Sequence, residues 1–279
     1  MIGNLYLCAT PIGNLEDITY RVVRILSEVD FIAAEDTRHT LKLLNHFEIK
    51  NKLISYHEHN KDTKGKEIVK LLLEGKNIAL VTDAGTPAIS DPGEDLVKLC
   101  YENNIKVTSL PGASAVVTAL TISGLSTRRF TFEGFFSKNK REIKDDFERI
   151  KEETRTIVMY ETPHRLKEML KLLLKNIGNR KISIIREITK KYEEVNLTTI
   201  EKAIEYYNEV DPRGEYVLII EGKDIKEIKS ENIQKWLEMS LEDHMSFYMN
   251  EEGLSKKDAM KRVAKDRNMS KSEVYKMLL

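Results

Sequence analysis

The sequence predicts a two-domain α/β protein: a parallel α/β unit over residues 1–124, a mixed-sheet α/β unit over 125–222, and a small basic helical extension over 223–279. Three observations predict it. A chain of 279 residues is about two domains long. The first 125 residues alternate short apolar runs with helix-spaced patterns, the rhythm of parallel strands joined by right-handed crossovers. In the second half two strand-like runs follow each other closely within 180–197, which points to a mixed sheet.

In order, strands are expected at 5–9, 30–34, 53–56, 77–82 and 106–110. Helices are expected between them at 18–27, 40–47, 65–74, 94–102 and 114–123; in the first, Ile18, Val22, Ile25 and Leu26 recur at helical spacing. Gly124-Leu125-Ser126-Thr127-Arg128-Arg129 breaks the pattern and reads as the linker. Beyond it, strands are expected at 130–136, 155–161, 180–187, 193–197 and 216–221, and helices at 139–152, 163–176 and 199–206. Pro163 suits a first helical position, where its missing N–H is an orphan anyway.

Hydrophobic residues at 41% and charged residues at 32% exclude a collagenous or disordered chain. Lys+Arg and Asp+Glu both number 45, so a nucleic-acid partner would have to be met by a local patch rather than by net charge. Cys8 and Cys100 are the only cysteines, too few for a disulfide framework or a Cys-rich zinc site, as expected in a reducing compartment. The first seven residues lack a basic region and a long apolar stretch, so no signal peptide is expected. The apolar run 115–122 falls far short of the roughly 20 residues a membrane span needs. The expected location is the cytoplasm, with no membrane partner.

In parallel sheets ligands bind beyond the carboxyl ends of strands, so the loops there carry the functional reading. Thr10-Pro11-Ile12-Gly13-Asn14-Leu15-Glu16-Asp17 is neither a Walker loop nor a Gly-x-Gly-x-x-Gly fingerprint; it reads equally as a ligand turn or as a plain connection capped by Asp17. Thr82-Asp83-Ala84-Gly85-Thr86-Pro87-Ala88-Ile89-Ser90-Asp91-Pro92-Gly93 is the most informative stretch. Two Pro, two Gly and two Asp make a long rigid loop, and a mere connection would be shorter. Leu110-Pro111-Gly112-Ala113-Ser114-Ala115 repeats the theme, with Ser114 equally suited to be an N-cap. Ala34-Glu35-Asp36-Thr37-Arg38 reads as a polar substrate site or a solvated, capped turn. In Tyr56-His57-Glu58-His59-Asn60 the two histidines share a strand face, but their spacing fits no zinc helix motif, and hydrogen bonding is the preferred role. Tyr160-Glu161-Thr162-Pro163-His164-Arg165 and Arg186-Glu187-Ile188-Thr189-Lys190 are polar strand ends of the second unit: surface turns, or the other wall of a cleft.

The strings just quoted, together with Phe132-Glu133-Gly134-Phe135, resemble in order and over roughly the first 222 residues the bacterial small-subunit ribosomal RNA methyltransferase I family. The resemblance implies a tetrapyrrole-methylase-like fold of two α/β domains, usually a homodimer, with S-adenosylmethionine bound between the domains. It implies transfer of a methyl group to the ribose 2′-hydroxyl of a cytidine in 16S ribosomal RNA of the small subunit. The superfamily's glycine-rich first turn is replaced by Thr10-Pro11-Ile12-Gly13, a departure that argues against a porphyrin or corrin substrate. Two alternatives stand beside this reading: a methylase of a tetrapyrrole precursor, and a non-catalytic RNA-binding assembly factor.

On that resemblance, the cofactor is expected against Pro11, Ile12 and Gly13 of the first turn, Asp83, Ala84, Gly85 and Thr86 of the long loop, and Ser114 and Ala115, with Tyr160 closing from the second domain. Glu35 and Asp36 are the expected general-base candidates, with Arg38 placed to fork onto phosphate. His57, Glu58 and Asn60 form a second substrate set; Glu133, His164, Arg165 and Lys190 reach in from the other domain. No metal or nicotinamide cofactor is expected. The tail, 253–279, has eight Lys/Arg against three acids, with Ser255 as an N-cap and Ser270 opening a second helix. It reads as a solubilising helical hairpin or as a module for RNA backbone contact, and the second reading is favoured here.

Overall fold

Five strands form the first sheet of the computed structural model, which describes residues 1–139 and 141–278, with only the backbone at 229, 231, 232 and 235. These are β1 (Asn4–Cys8), β2 (Phe31–Ala34), β3 (Leu53–Ser55), β4 (Ile78–Val81) and β5 (Lys106–Leu110). They run parallel in the order β3-β2-β4-β1-β5. Central β4, Ile-Ala-Leu-Val, is buried throughout, as a strand covered on both faces must be. The chain leaves β1 toward β2 and leaves β4 toward β5, in opposite directions from neighbouring strands. That makes β1/β4 the switch point, with a crevice beyond their carboxyl ends.

Helices α1 (Tyr20–Glu28) and α2 (Thr37–His46) cover one face, packing Val22, Ile25, Leu26 and Leu44 on Cys8, Ile32, Ala34, Ala79 and Val81. Helices α3 (Lys61–Leu73) and α4 (Gly93–Glu102) cover the other, packing Ile68, Leu72, Leu96 and Cys100 on Leu5, Leu7, Ala33, Ile78 and Leu80. Each such buried Leu or Ile stabilises the fold by about 1.5–3 kcal/mol.

Among the helices covering the first sheet, three starts differ from the sequence expectation by two residues or more, each for a local reason. The cap of α1 is Thr19, accepting from the Val22 N–H, while Asp17 closes a 3₁₀ turn over Leu15–Asp17 capped by Asn14. Helix α2 starts at Thr37 rather than 40 because Asp36 caps it through the Arg38 N–H. Helix α3 starts at Lys61, and Gly65 lies inside it rather than at its head. A Cβ there would come 2.9 Å from Leu99, so the glycine lets α3 and α4 approach closely.

The second sheet contains β6 (Phe130–Phe135), β7 (Thr156–Glu161), β8 (Lys181–Arg186), β9 (Glu194–Thr199) and β10 (Tyr216–Ile220), in the order β6-β7-β10-β8-β9. It is mixed, as expected: β6 and β7 are parallel and the remaining pairs antiparallel. Helices α6 (Glu142–Lys151), α7 (Pro163–Ile177) and α8 (Ile200–Glu209) cover one face. The other receives α5 (Ala115–Ile122), which follows β5 of the first sheet but buries Val116, Ala119 and Leu120 against Val158, Ile185, Val217 and Ile219 of the second. The expected division at 124/125 thus falls after a helix that packs across it.

Helices α9 (Ile225–Leu237), α10 (Leu241–Asn250), α11 (Lys256–Asp266) and α12 (Lys271–Met277) complete the chain; Leu241, Met245, Tyr248, Met260, Val263 and Val274 form a small core of their own. Ser255 caps α11, and Ser270 caps α12 in a capping box with Glu273. Seven of the tail's eight basic residues are exposed. Arg267 is buried, its Nε 3.1 Å from His244 Nδ1 and its guanidinium on the Met239 and Ser240 carbonyls, so its charge serves the fold. Residue 140, inside the expected helix 139–152, and residue 279 at the end of the tail lie outside the described residues. Among the described residues no helix is long and apolar enough to cross a membrane.

Candidate active site

A cleft of about 890 Å³ lies between the strand ends of the first sheet and those of the second. Its first wall is backbone. The turn after β1 and the loop after β4 clasp each other: the Thr10 N–H donates to the Gly85 carbonyl at 2.9 Å, and the Gly85 N–H to the Thr10 carbonyl at 3.0 Å. Gly85 has φ +84°, a left-handed conformation that a side chain would strain. Thr86 Oγ1 donates to the Ala113 carbonyl at 3.0 Å and so ties in the loop before α5. Ala88 and Ser90 are also left-handed, at φ 65° and 60°. Asp91 holds that bend by accepting from the Ala88 N–H at 2.9 Å and the Gly93 N–H at 2.7 Å, and burial pushes its carboxyl up. The Tyr56 hydroxyl, pushed up to about 12 by burial, fixes the end of the loop by donating to the Pro92 carbonyl at 2.9 Å. Ser114 stands at the N-cap of α5 without a capping bond, and Ser114 lines the cleft.

Side chains make the second wall. Phe135 and Tyr160 stand at the ends of β6 and β7, and Ile188, Glu215, Tyr216 and Val217 come from the turn after β8 and the start of β10. Lys190 Nζ donates to Glu187 at 2.9 Å and Glu215 at 2.7 Å, and a Cβ on Gly13 of the first wall would overlap its side chain. Glu161 is buried: Oε1 accepts from the Thr162 N–H at 2.7 Å, Oε2 has no hydrogen-bond partner, and burial pushes the carboxyl up.

The structure separates the expected site residues into two groups. Ile12, Ala84, Gly85, Thr86, Ser114, Ala115 and Tyr160 of the cofactor set line the cleft, as do Glu35, Glu58 and Lys190. Pro11, Gly13 and Asp83 do not line it: Gly13 lies against the Lys190 side chain, and Asp83 accepts from the Asp36 N–H at 3.1 Å and joins two loops. The two base candidates part company. Glu35 faces the cleft with Oε2 3.2 Å from the Thr82 hydroxyl. Asp36 is the α2 cap, and its bonds with the Arg38 guanidinium hold its carboxyl well below the usual range. Arg38 is thereby folded onto Asp36.

His57 and Asn60 bond to each other and to the β3 end rather than lining the cleft. Glu133 bonds to Thr131, His164 is exposed on α7, and Arg165 fastens α7 to the Phe136 and Ser137 carbonyls. Residues to which the sequence reading gave no role of their own include Glu161 and Asp91, quoted only within longer strings, and Glu94 and the Lys61–Asp95 pair at 2.8 Å; Asp95, then Glu58, bonds Lys61 and pushes its ammonium up. Their signal was position: Glu161 ends β7, Lys61, Glu94 and Asp95 lie in the first turns of α3 and α4, and Asp91 lies in the loop between β4 and α4. In all, seven acids and two lysines line the cleft, a lining that favours a cationic ligand over a phosphate.

A profile of the tetrapyrrole (corrin/porphyrin) methylases matches residues 4–204. The ribosomal RNA small subunit methyltransferase I of Halalkalibacterium halodurans is 49% identical over 98% of this chain and 93% of its own; that of Bacillus subtilis is 47% identical over the same shares. A uroporphyrin-III C-methyltransferase from Thermus thermophilus, complexed with S-adenyl homocysteine, superposes with a TM-score of 0.56 at 17% identity, covering 78% of this chain and 97% of that one. At that identity it speaks for the fold alone. With the switch-point cleft, the clasped loops after β1 and β4 and near-full-length identity approaching one half, the chain belongs to the ribosomal RNA small subunit methyltransferase I family within the tetrapyrrole methylases.

Proposed function

We propose that this chain transfers a methyl group from S-adenosylmethionine to the ribose 2′-hydroxyl of a cytidine in 16S ribosomal RNA, acting in the cytoplasm on the small subunit or its precursor. The observation that carries the reading is the 47–49% identity to methyltransferases of that name over 98% of the chain. It outweighs the tetrapyrrole alternative, which rests on fold likeness at 17% identity, and the non-catalytic one.

The cleft fits the cofactor. Its volume lies within the ordinary range for a ligand of that size, about 300–1,000 Å³. Ile12, Ala84, Gly85, Thr86, Ser114 and Ala115 would hold it on one side and Tyr160 on the other. The acidic lining suits a ligand carrying a sulfonium and an ammonium. Bound there, S-adenosylmethionine supplies an electrophilic methyl group.

The chain's own residues supply placement and proton removal. Fixing the hydroxyl against its target is worth roughly 7–11 kcal/mol. Glu35, held by the Thr82 hydroxyl and facing the cleft, is the carboxylate placed to take the 2′-hydroxyl proton, for about 10²–10⁴-fold. Because the lining repels phosphate, the RNA backbone stays outside, and only a nucleoside enters. The exposed lysines of α11 and α12 offer a surface for that backbone. A homodimer belongs to the same reading: Val195 and Leu197, two apart on edge strand β9, are exposed on one face.

Mass mapping of small-subunit ribosomal RNA treated with the protein and cofactor tests the proposal. One cytidine should gain a ribose methyl group; a base methyl group, or none, would sink it. Sedimentation at micromolar concentration tests the dimer.

A further inference from the structure

Strand β6 carries an irregularity at the mouth of the cleft. Phe130, Thr131 and Phe132 pair with Thr156, Ile157 and Val158, but the next pairing is Phe135 with Tyr160. Three steps on β6 match two on β7, so one residue is extra, and Gly134 takes φ +63° to accommodate it. The consequence is a side chain turned round. Residues three apart on a regular strand face opposite ways. Here Phe132 and Phe135 both rest on the Tyr160 ring, with centroids 5.0 Å and 5.3 Å away. Phe136 instead enters the core against Phe147.

The bulge thus takes Phe135 out of the core and delivers it, 56% exposed, to the lip of the cleft on the edge strand. Its support is firm, because the Tyr160 ring on which Phe135 rests packs into the apolar cluster that holds Val116 of α5. The facing wall is the bend held by Asp91. A Cβ built on Gly134 would lie 3.3 Å from Ser90 Oγ, so the walls meet there, and Ile89 beside Ser90 is 53% exposed in the same cleft. An exposed aromatic ring at the mouth of a cleft lined by seven acids offers a flat apolar surface to a neutral, flat group.

We propose that Phe135 is the platform on which the pyrimidine of the target nucleotide stacks, with Ile89 on the facing wall. The inference rests on the proposed RNA reaction. A ribose reaches the cleft only if its nucleotide leaves the surrounding stack, and an aromatic surface replaces the stacking lost. The cofactor's adenine is the competing occupant. It is disfavoured because Phe135 stands at the outer edge of the second sheet, whereas Ile12, Gly85 and Ser114 line the first wall, which is built by the loops after β1, β4 and β5.

The test compares Phe135→Leu, which keeps apolar bulk, with Phe135→Tyr and Phe135→Trp, which keep a ring. Methyl transfer to small-subunit particles, calorimetric affinity for S-adenosylhomocysteine and melting temperature are measured for each. Phe135→Leu should lower kcat/KM for the particles about ten- to a hundredfold. Both aromatic variants should stay within about threefold of the native enzyme, and cofactor affinity should not move in any. Phe135→Trp gives a readout without turnover, since its indole emission above the Trp236 background should be quenched when particles bind. Full activity of Phe135→Leu, a parallel loss of S-adenosylhomocysteine affinity, or no quenching would each overturn the inference. A native enzyme that transfers nothing to the particles would instead overturn the proposed function.

Discussion

The clasp between Thr10 and Gly85 makes a quantitative prediction about Gly85→Ala. At φ +84° a Cβ costs about 1–2 kcal/mol of backbone strain. The atom itself finds room: it would meet Ile12 Cγ2 at 3.2 Å and the Ala113 carbonyl oxygen at 3.7 Å, so side-chain adjustment of a few tenths of an ångström suffices. The strain is released by letting the loop relax, which breaks the two Thr10–Gly85 hydrogen bonds and opens the first wall. Cofactor binding must then restore the wall and bear the strain again. Affinity should therefore fall by up to the same 1–2 kcal/mol, about 5- to 30-fold. The melting temperature should drop by about 2–8 °C for a chain of this size. Gly178→Ala is the control: φ is +81°, nothing lies within 4 Å of the new Cβ, and the cleft does not include it. Calorimetry with S-adenosylhomocysteine and thermal melts should show both variants less stable and only Gly85→Ala weaker in binding. If the two bind alike, the left-handed turn serves the fold and not the cleft. Gly85→Val, β-branched at the same φ, should lose binding altogether.

Three further outcomes are expected. Glu35→Gln should lower kcat about 10²–10⁴-fold with cofactor affinity intact, whereas Asp36→Ala should lower the melting temperature and spare kcat; native turnover in Glu35→Gln would leave orientation to carry the rate. Because burial raises the folded Glu161 carboxyl above its unfolded value, the unfolded chain loses that proton first. Native stability relative to Glu161→Gln should then decline as pH rises above about 4.3, and parallel melting curves from pH 4 to 8 would contradict this. Replacing exposed Lys256, Lys257, Lys261 and Lys265 with Ala should reduce the salt dependence of RNA binding by up to about 3 in log–log slope, with cofactor affinity unmoved; an unchanged slope removes the tail from the RNA surface.

The first wall was legible in the sequence because a parallel sheet gathers its carboxyl ends at one edge. Once β1, β4 and β5 are recognised, Ile12, Gly85, Thr86 and Ser114 must be neighbours. The second wall was legible only in part, through Tyr160 and Lys190; its full lining was not. It depends on β10 running antiparallel to β7, which sets Tyr216 beside Glu161, and no local pattern in either strand encodes that pairing. Nor was the end of β6 legible. Glu133, Phe135 and Arg165 all sit near the β6 end, but the bulge turns Phe135 toward the cleft, while Glu133 bonds to Thr131 and Arg165 ties α7 to the Phe136 carbonyl. Lys61 was passed over because Gly65 reads as a helix start, when the chain uses it as a packing site.

Helix α5 decides how the two walls can move. It follows the β5 loop at Ser114, yet Val116, Ala119 and Leu120 are buried against the second sheet. A rotation that carried α5 away with the first sheet would expose these side chains and Val158, Ile185, Val217 and Ile219 on the second, at about 1.5–3 kcal/mol for each large one. Helix α5 therefore stays on the second sheet, and any opening of the cleft turns at residues 111–114 before it. An acidic cleft of about 890 Å³ does not take in an RNA helix. The RNA must bring a single nucleoside to it, with its phosphates held elsewhere. On the proposed reading, the exposed ring at the lip would meet the first demand and the exposed lysines of the tail the second.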